Sequence, residues 1–354
     1  MYCDVLVLGG GAAGAAAAVT CARAGAVVVV ADRPARRAPI GECLSPQGRP
    51  LLRATWPGFD FASHPLYVGS RAAWSGDALE GRGFLFNPYG SGLRLDRRAF
   101  DLELRTAVCA EGATALQVGR FLKVSGGAGA WQIQLETEGR ICSVHAGFVI
   151  DCTGRNSAFA RALGVRRVSH DRLIGLVVLA ERLDQDQGWL TVEATPFGWW
   201  YTVEAPEHGR LVALMIDADI ARELRARTAD GFRRLLSSTD NIGCCRIDGT
   251  EQVPVAVAAS TSRLLQVSGA GWCAAGDAAA THDPLSAQGI VSAMKSGRAA
   301  AAAALSGDTS SYAKAAEVAF NNYLATRQHV YADNKRWWNS PFWRRRTPPT
   351  EVLV

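Results

Sequence analysis

Val5-Leu6-Val7-Leu8-Gly9-Gly10-Gly11-Ala12-Ala13-Gly14 is the stretch on which the fold turns. Four β-rich residues enter a glycine-rich turn, and an alanine-rich run of helical composition follows to about Arg23. Strand, turn and helix in that order are the context that a G-x-G-x-x-G pattern requires. Gly9 permits the tight turn, Gly11 lets the backbone approach a diphosphate, and Gly14 lets the helix pack on the strand. Ala13 sits between them at the helix start, so the diphosphate meets the positive helix N-terminus. A second strand, Ala26 to Ala31, ends in Asp32-Arg33, where an acid that accepts from a ribose hydroxyl is expected. A glycine-rich turn without nucleotide is the plainer reading of such a motif. The flanking strand and helix and the well-placed acid count against it.

Working outward, 354 residues allow about two domains and a substantial core without disulfides or metals. The 38 basic and 33 acidic residues leave a net charge of +5, too mild an excess to argue for nucleic acid. Arg23 and turn-forming glycines interrupt the longest apolar stretch, Ala12 to Ala31, which excludes a membrane span there. Met1-Tyr2-Cys3-Asp4 leads straight into a strand with no basic n-region, so a cytoplasmic protein is expected. Nine cysteines without a CxxC pair read as reduced thiols, mostly small hydrophobes. Vicinal Cys244-Cys245 offers a redox pair, although adjacent cysteines seldom form a disulfide.

A second glycine-aspartate signature lies far downstream. Trp272-Cys273-Ala274-Ala275-Gly276-Asp277-Ala278-Ala279 is followed by His282-Asp283-Pro284-Leu285-Ser286-Ala287-Gln288-Gly289-Ile290 and a helical run to Leu305. It resembles the second FAD motif of the flavin monooxygenase superfamily. That resemblance implies that Asp277 holds ribityl hydroxyls and that the helix near Gly289 faces the flavin pyrimidine, with Gly276, Pro284, Gln288 and Ile290 around it. A helix N-terminus suits the anionic reduced flavin. Asp96-Arg97-Arg98-Ala99-Phe100-Asp101 looks like the family's R-x-x-F-D helix start, with Arg97 toward the FAD ribose or adenine. An ordinary surface helix charge is an equal reading. Phe148-Val149-Ile150-Asp151-Cys152-Thr153-Gly154 resembles its strand-to-loop "DG" motif, in which Asp151 and Gly154 shape the diphosphate side.

From Arg172 to about Arg263 the chain alternates in strand fashion over Leu173 to Ala180, Trp189 to Ala194, Trp199 to Val203, Leu211 to Ile216 and Val253 to Ala258. A helical patch spans Ile220 to Ser237. This predicts a mostly antiparallel sheet that, with Trp74 to about Leu95, roofs the cofactor. The expected class is α/β, α+β overall. A discontinuous Rossmann-like FAD-binding domain (1–70, 96–165 and 264–310) interleaves with an antiparallel substrate-binding sheet (71–95 and 166–263), and a C-terminal helical segment covers 311–354.

Ile40-Gly41-Glu42, Pro196-Phe197-Gly198-Trp199-Trp200-Tyr201, Asp283 to Ile290 and the C-terminal Tyr323, Arg327, Tyr331, Arg336-Trp337 and Pro341 to Arg346 together resemble the LodB/GoxB/QhpG-like flavoproteins. Those relatives of tryptophan halogenases oxygenate a protein tryptophan. The resemblance implies an FAD-dependent monooxygenase that hydroxylates an electron-rich aromatic, an indole or tryptophan, free or peptide-borne, through a C4a-hydroperoxyflavin. NAD(P)H reduces the flavin directly or through a partner reductase. Trp199, Trp200 and Tyr201 are the candidate aromatic wall, against the alternative of core packing, with Trp199 and Tyr201 on one side of the strand and Trp200 on the other. His282 and Glu42, the latter also a candidate cofactor contact, are the catalytic candidates; a hydrogen-bonding structural histidine is the competing reading. Cys43 suits either a covalent flavin link or a space-filling thiol. The tail aromatics are expected to pack back on the body.

A tryptophan-type halogenase needs a tunnel lysine from the segment after the first FAD motif, and no lysine precedes Lys123. Trp199-Trp200-Tyr201-Thr202 also departs from the halogenase W-x-W-x-I-P pattern. Halogenation is therefore the second reading, and a dehydrogenase or reductase of the same fold the third.

Overall fold

The computed structural model describes residues 1–33, 42–181, 188–206, 209–247, 249 and 251–347. Its first layer is a sheet whose central strands run parallel in the order Trp272–Ala274, Arg140–Asp151, Tyr2–Leu8, Val28–Asp32 and Thr114–Gln117. Both faces of this sheet are covered, so its strands are nearly continuous apolar runs. Val5, Val7, Val28 and Val30 face one core, while Leu6, Leu8, Val29 and Ala31 face the other.

Helices Ala12–Arg23, Arg97–Ala110 and Gly289–Ser306 fill the first face. Alanine and glycine let two of them approach closely: a Cβ on Gly297 would stand 2.1 Å from the Ala13 carbonyl oxygen. The opposite face is covered by an antiparallel extension of the same sheet, Arg120–Gly127 and Ala130–Thr137, which brings in Trp131, Ile133 and Leu135.

Register fixes where the glycine motifs emerge. Leu8 pairs with Ala31 and with Asp151, and Asp151 pairs with Ala274. The Gly9 turn, Asp32, the Cys152 to Gly154 loop and the Ala275 to Asp277 loop therefore leave one carboxyl edge together, where open parallel sheets bind ligands.

The second layer is a seven-stranded sheet in the order Val255–Ala258, Leu173–Ala180, Arg210–Asp217, Gly198–Glu204, Trp189–Thr195, Gly69–Ala73 and Glu80–Gly83. All its pairings are antiparallel except Trp189–Thr195 with Gly69–Ala73. Two expectations need correction. Gly92–Leu95 is not part of this roof; it pairs with Glu42–Leu44 and Leu66–Tyr67, because Leu93 and Leu95 are buried with Leu44 and Leu52 in the first core. The helical patch is two helices, Ala218–Glu223 and Ala229–Leu236, parted by a turn in which Arg225 takes a φ of +53°.

The C-terminal helix Thr309–Ala332 and the short helix Pro341–Arg344 fold back on the roof. Trp337 and Trp343 donate their indole N–H groups to the carbonyls of Ala194 and Thr195, and Phe342 and Trp343 are fully buried. Arg346 and Asp217 form a buried ion pair between tail and roof. Among the described residues no helix is long and apolar enough to cross a membrane. All nine thiols are free; Cys244 is exposed and Cys245 buried.

Candidate active site

The first helix begins at Gly11, and no side chain caps its N-terminus. Its first-turn N–H groups are thus available to an anion. Gly9, at φ +103°, brings the turn so close to the neighbouring strand end that a Cβ would lie 2.2 Å from the Cys152 carbonyl oxygen. Gly14 packs helix on turn: its Cβ would stand 1.8 Å from the Gly9 carbonyl oxygen. Gly11 differs, since a Cβ there would meet no protein atom within 4 Å. That open space above free N–H groups fits a diphosphate. The Asp32 carboxylate leans over the same turn, 2.8 Å from where a Gly10 Cβ would be, and suits a ribose acceptor.

Between this edge and the roof lies a cavity of about 340 Å³. Asp277, His282, Pro284, Ala287, Gly289 and Ile290 form its floor, whereas Leu190, Val192, Trp199, Tyr201, Met215 and Val257 form its roof. Helix Gly289–Ser306 opens onto it, again without a side-chain cap. Ala287 holds a left-handed backbone, φ +47°, immediately before that helix. A non-glycine residue keeps such a conformation only where its surroundings over-determine it.

Those surroundings are a buried polar network. Asp283 is fully buried; its Oδ1 accepts the Leu285 N–H at 3.0 Å, while its Oδ2 accepts the Tyr331 hydroxyl at 2.7 Å and Arg327 Nε at 3.4 Å. Burial pushes the Asp283 carboxyl above the usual range, and Arg327 and the Tyr331 hydroxyl oppose that shift. Tyr331 also accepts the Trp199 indole N–H at 2.9 Å. Tyr323 accepts the Asp283 N–H at 2.7 Å and lies 2.8 Å from the Thr261 hydroxyl.

His282 packs edge-on against Tyr323, ring centroids 4.4 Å apart, and lines the cavity. Burial holds its pKa below the ordinary value of 6.5; Asp277 opposes this and Arg155 reinforces it. The imidazole is therefore neutral near pH 7. Arg155, also at the cavity, donates to the Ser260 carbonyl at 2.9 Å and stands 3.8 Å from Asp277.

The structure thus brings together Asp277, His282, Pro284, Gly289, Ile290, Trp199 and Tyr201, with Gly276 beside them at φ +59°. Gln288 precedes the helix, outside the cavity lining. Trp200 is a correction: it is fully buried on the far side of the strand, packed at 5.0 Å on Phe232, because the alternation that aims Trp199 and Tyr201 inward aims it outward. Asp151 is another. Its carboxylate is buried and accepts from the N–H groups of Thr153, Phe159 and Ala160, capping helix Ala158–Ala162 rather than facing a ligand. Gly154, at φ +66°, shapes the same loop. Arg33 turns to the Gly119 carbonyl at 2.8 Å, and Arg97 bonds Asp101 at 3.2 Å along its own helix. Glu42 pairs through its backbone with Leu95, and its neighbour Cys43 lines the cavity. The Glu42 side chain, like Ile40 and Gly41, lies outside the described residues. Arg155, Met215 and Val257 were not anticipated at the cavity. Strand alternation was the signal for Met215 and Val257, whereas Arg155 lies in the turn Gly154–Asn156, outside any strand.

The FAD-dependent oxidoreductase LodB of Marinomonas mediterranea, as that protein is named, is 29% identical over 294 residues, covering 78% of this chain and 77% of that one. The crystal structure of CmlS, a flavin-dependent halogenase, matches 98% of this chain and 68% of its own with a TM-score of 0.82 at 23% identity. The peptidyl tryptophan dihydroxylase QhpG matches 100% of this chain and 80% of its own, TM-score 0.78, at 20% identity. At these identities the two structures establish the fold. The family described as FAD binding domain matches residues 115–316, more than half of the chain, and this protein, an FAD-dependent oxidoreductase, belongs to it.

Proposed function

We propose that the protein is an FAD-dependent monooxygenase that hydroxylates an electron-rich aromatic, an indole or tryptophan, free or peptide-borne. The observation that carries this reading is the cavity of about 340 Å³ between the second glycine-aspartate loop and an aromatic, apolar roof. Its volume is at the lower end of small-ligand sites. Bound reduced flavin supplies dioxygen activation there. The protein's own share is simpler. Val192, Trp199, Tyr201, Met215 and Val257 exclude water and orient an aromatic ring. The free N–H groups at Gly289 stabilise negative charge. Neutral His282 accepts a proton from the substrate. NAD(P)H, directly or through a partner reductase, delivers the electrons in the same reading.

Halogenation would need a lysine at this cavity. The chain has four, Lys123, Lys295, Lys314 and Lys335, and all are exposed and away from the lining. The testing experiment is mass spectrometry of products formed with labelled dioxygen, reduced FAD and indole-bearing substrates. One labelled oxygen atom per product is expected. A product formed equally well without dioxygen would replace this reading with a reductase, for which reduced FAD is the electron donor.

A further inference from the structure

We propose that Tyr331 is a positioning residue of the flavin site, through which the C-terminal helix holds the second glycine-aspartate loop against the roof. The helix Thr309–Ala332 presents Phe320, Tyr323, Arg327 and Tyr331 at successive spacings of 3, 4 and 4 residues, one stripe of an α-helix. Three members of that stripe grip a single residue. Tyr323 takes the Asp283 N–H, and Arg327 and Tyr331 take its carboxylate. The Tyr331 hydroxyl is used twice, donating to Asp283 at 2.7 Å and accepting from Trp199 at 2.9 Å. It therefore ties the roof aromatic at the cavity to the loop that carries His282 and leads into helix Gly289–Ser306.

The loop needs such a grip. Ala287 sits in a left-handed conformation four residues after Asp283, and relaxing it would re-aim the start of the helix and the residues facing the flavin. Loss of the Tyr331 hydroxyl would strand the buried Trp199 N–H and leave Arg327 Nε, at 3.4 Å, as the remaining partner of Asp283 Oδ2. The strained loop next to them is where such a defect is relieved.

This inference rests on FAD binding and not on which aromatic is oxidised, so its readout is flavin affinity. Tyr331→Phe is expected to weaken FAD binding about tenfold, measured by fluorescence titration of the apoprotein. Trp343→Phe removes another buried tail hydrogen bond, to Thr195, without touching the loop. It should lower the melting temperature comparably yet bind FAD like the parent. Asp283→Asn combined with Tyr331→Phe should weaken FAD by less than the sum of the two single changes, since they share the Tyr331–Asp283 contact. Should Tyr331→Phe fail to fold, Tyr323→Phe, which removes the acceptor of the Asp283 N–H together with the Thr261 hydroxyl contact, should show the same selective loss of FAD affinity. Parental FAD affinity in the folded tyrosine variants, or an equal loss in Trp343→Phe, would overturn the proposal.

Discussion

At the residue scale, the motif glycines divide by what a methyl group would strike. Gly14 abuts the Gly9 carbonyl, so Gly14→Ala forces strand and helix apart and should cost about 1–3 kcal/mol or more of stability. Gly11 has an ordinary φ of −70° and nothing of the protein within 4 Å of its missing Cβ. Gly11→Ala should therefore melt within about 0.5 kcal/mol of the parent, as neutral surface changes do. Its FAD dissociation constant should nevertheless rise about tenfold, ~1.4 kcal/mol, because the methyl occupies the diphosphate's space. Thermal unfolding of the apoproteins beside FAD titration separates the two effects, and normal FAD affinity in Gly11→Ala would place the diphosphate elsewhere. His282 makes the second residue-level prediction. Its pKa is depressed, so the neutral base persists as pH falls through 6.5, and kcat should decline only below that point. His282→Gln should lower kcat by roughly 10²-fold or more and abolish the acid limb. An unchanged acid limb in that variant would assign the titration to another group.

At the scale of elements, the strand Gly198–Glu204 shows what alternation decides and what it leaves open. Period two puts Trp199 and Tyr201 on one face and Trp200 on the other. Both faces of this strand are buried, one by the cavity and tail and one by helix Ala229–Leu236, so hydrophobicity does not mark which side meets substrate. The third prediction uses the difference. Trp200→Ala should cost about 3–5 kcal/mol of stability, as large core truncations do. Half-buried Tyr201→Ala should melt near the parent temperature yet weaken indole binding by about 0.5–1.5 kcal/mol. Indole titration of the FAD-loaded variants decides it, and a selective binding loss in Trp200→Ala would reverse the assigned faces. The same limit explains the rest of what was legible. The Gly9 turn, the Asp277 loop and five of the seven roof strands carry local signatures, glycine geometry and period-two runs, and their positions follow from them. The departure of Gly92–Leu95 from the roof and the grip of Tyr323 and Tyr331 on Asp283 depend on partners distant in sequence, which no local pattern encodes.

At the scale of the whole molecule, one sheet with a parallel centre gathers the candidate cofactor loops at a single edge, and one largely antiparallel sheet closes over them. The interleaved chain makes the cavity between them a property of the complete fold, and its charge is set by what each layer contributes. Among the described residues, the floor gives Asp277, Asp283 and His282, the Gly154 loop gives Arg155, and the roof gives apolar and aromatic groups. No primary amine enters from either layer. Lys123 lies on the strand Arg120–Gly127, at the sheet extension, Lys295 and Lys314 on exposed helix faces, and Lys335 after the C-terminal helix. The fold is shared with a flavin-dependent halogenase, yet no lysine is among the described residues that line this cavity. The fourth prediction follows. With reduced FAD, dioxygen, an indole substrate and bromide in excess, the product should carry oxygen and no bromine, and raising bromide should leave its yield unchanged. Mass spectrometry resolves the two outcomes through bromine's isotope pair. A brominated indole that depends on the enzyme and on dioxygen would show that another side chain, such as Arg155 on the cavity wall, does the work assigned to the lysine.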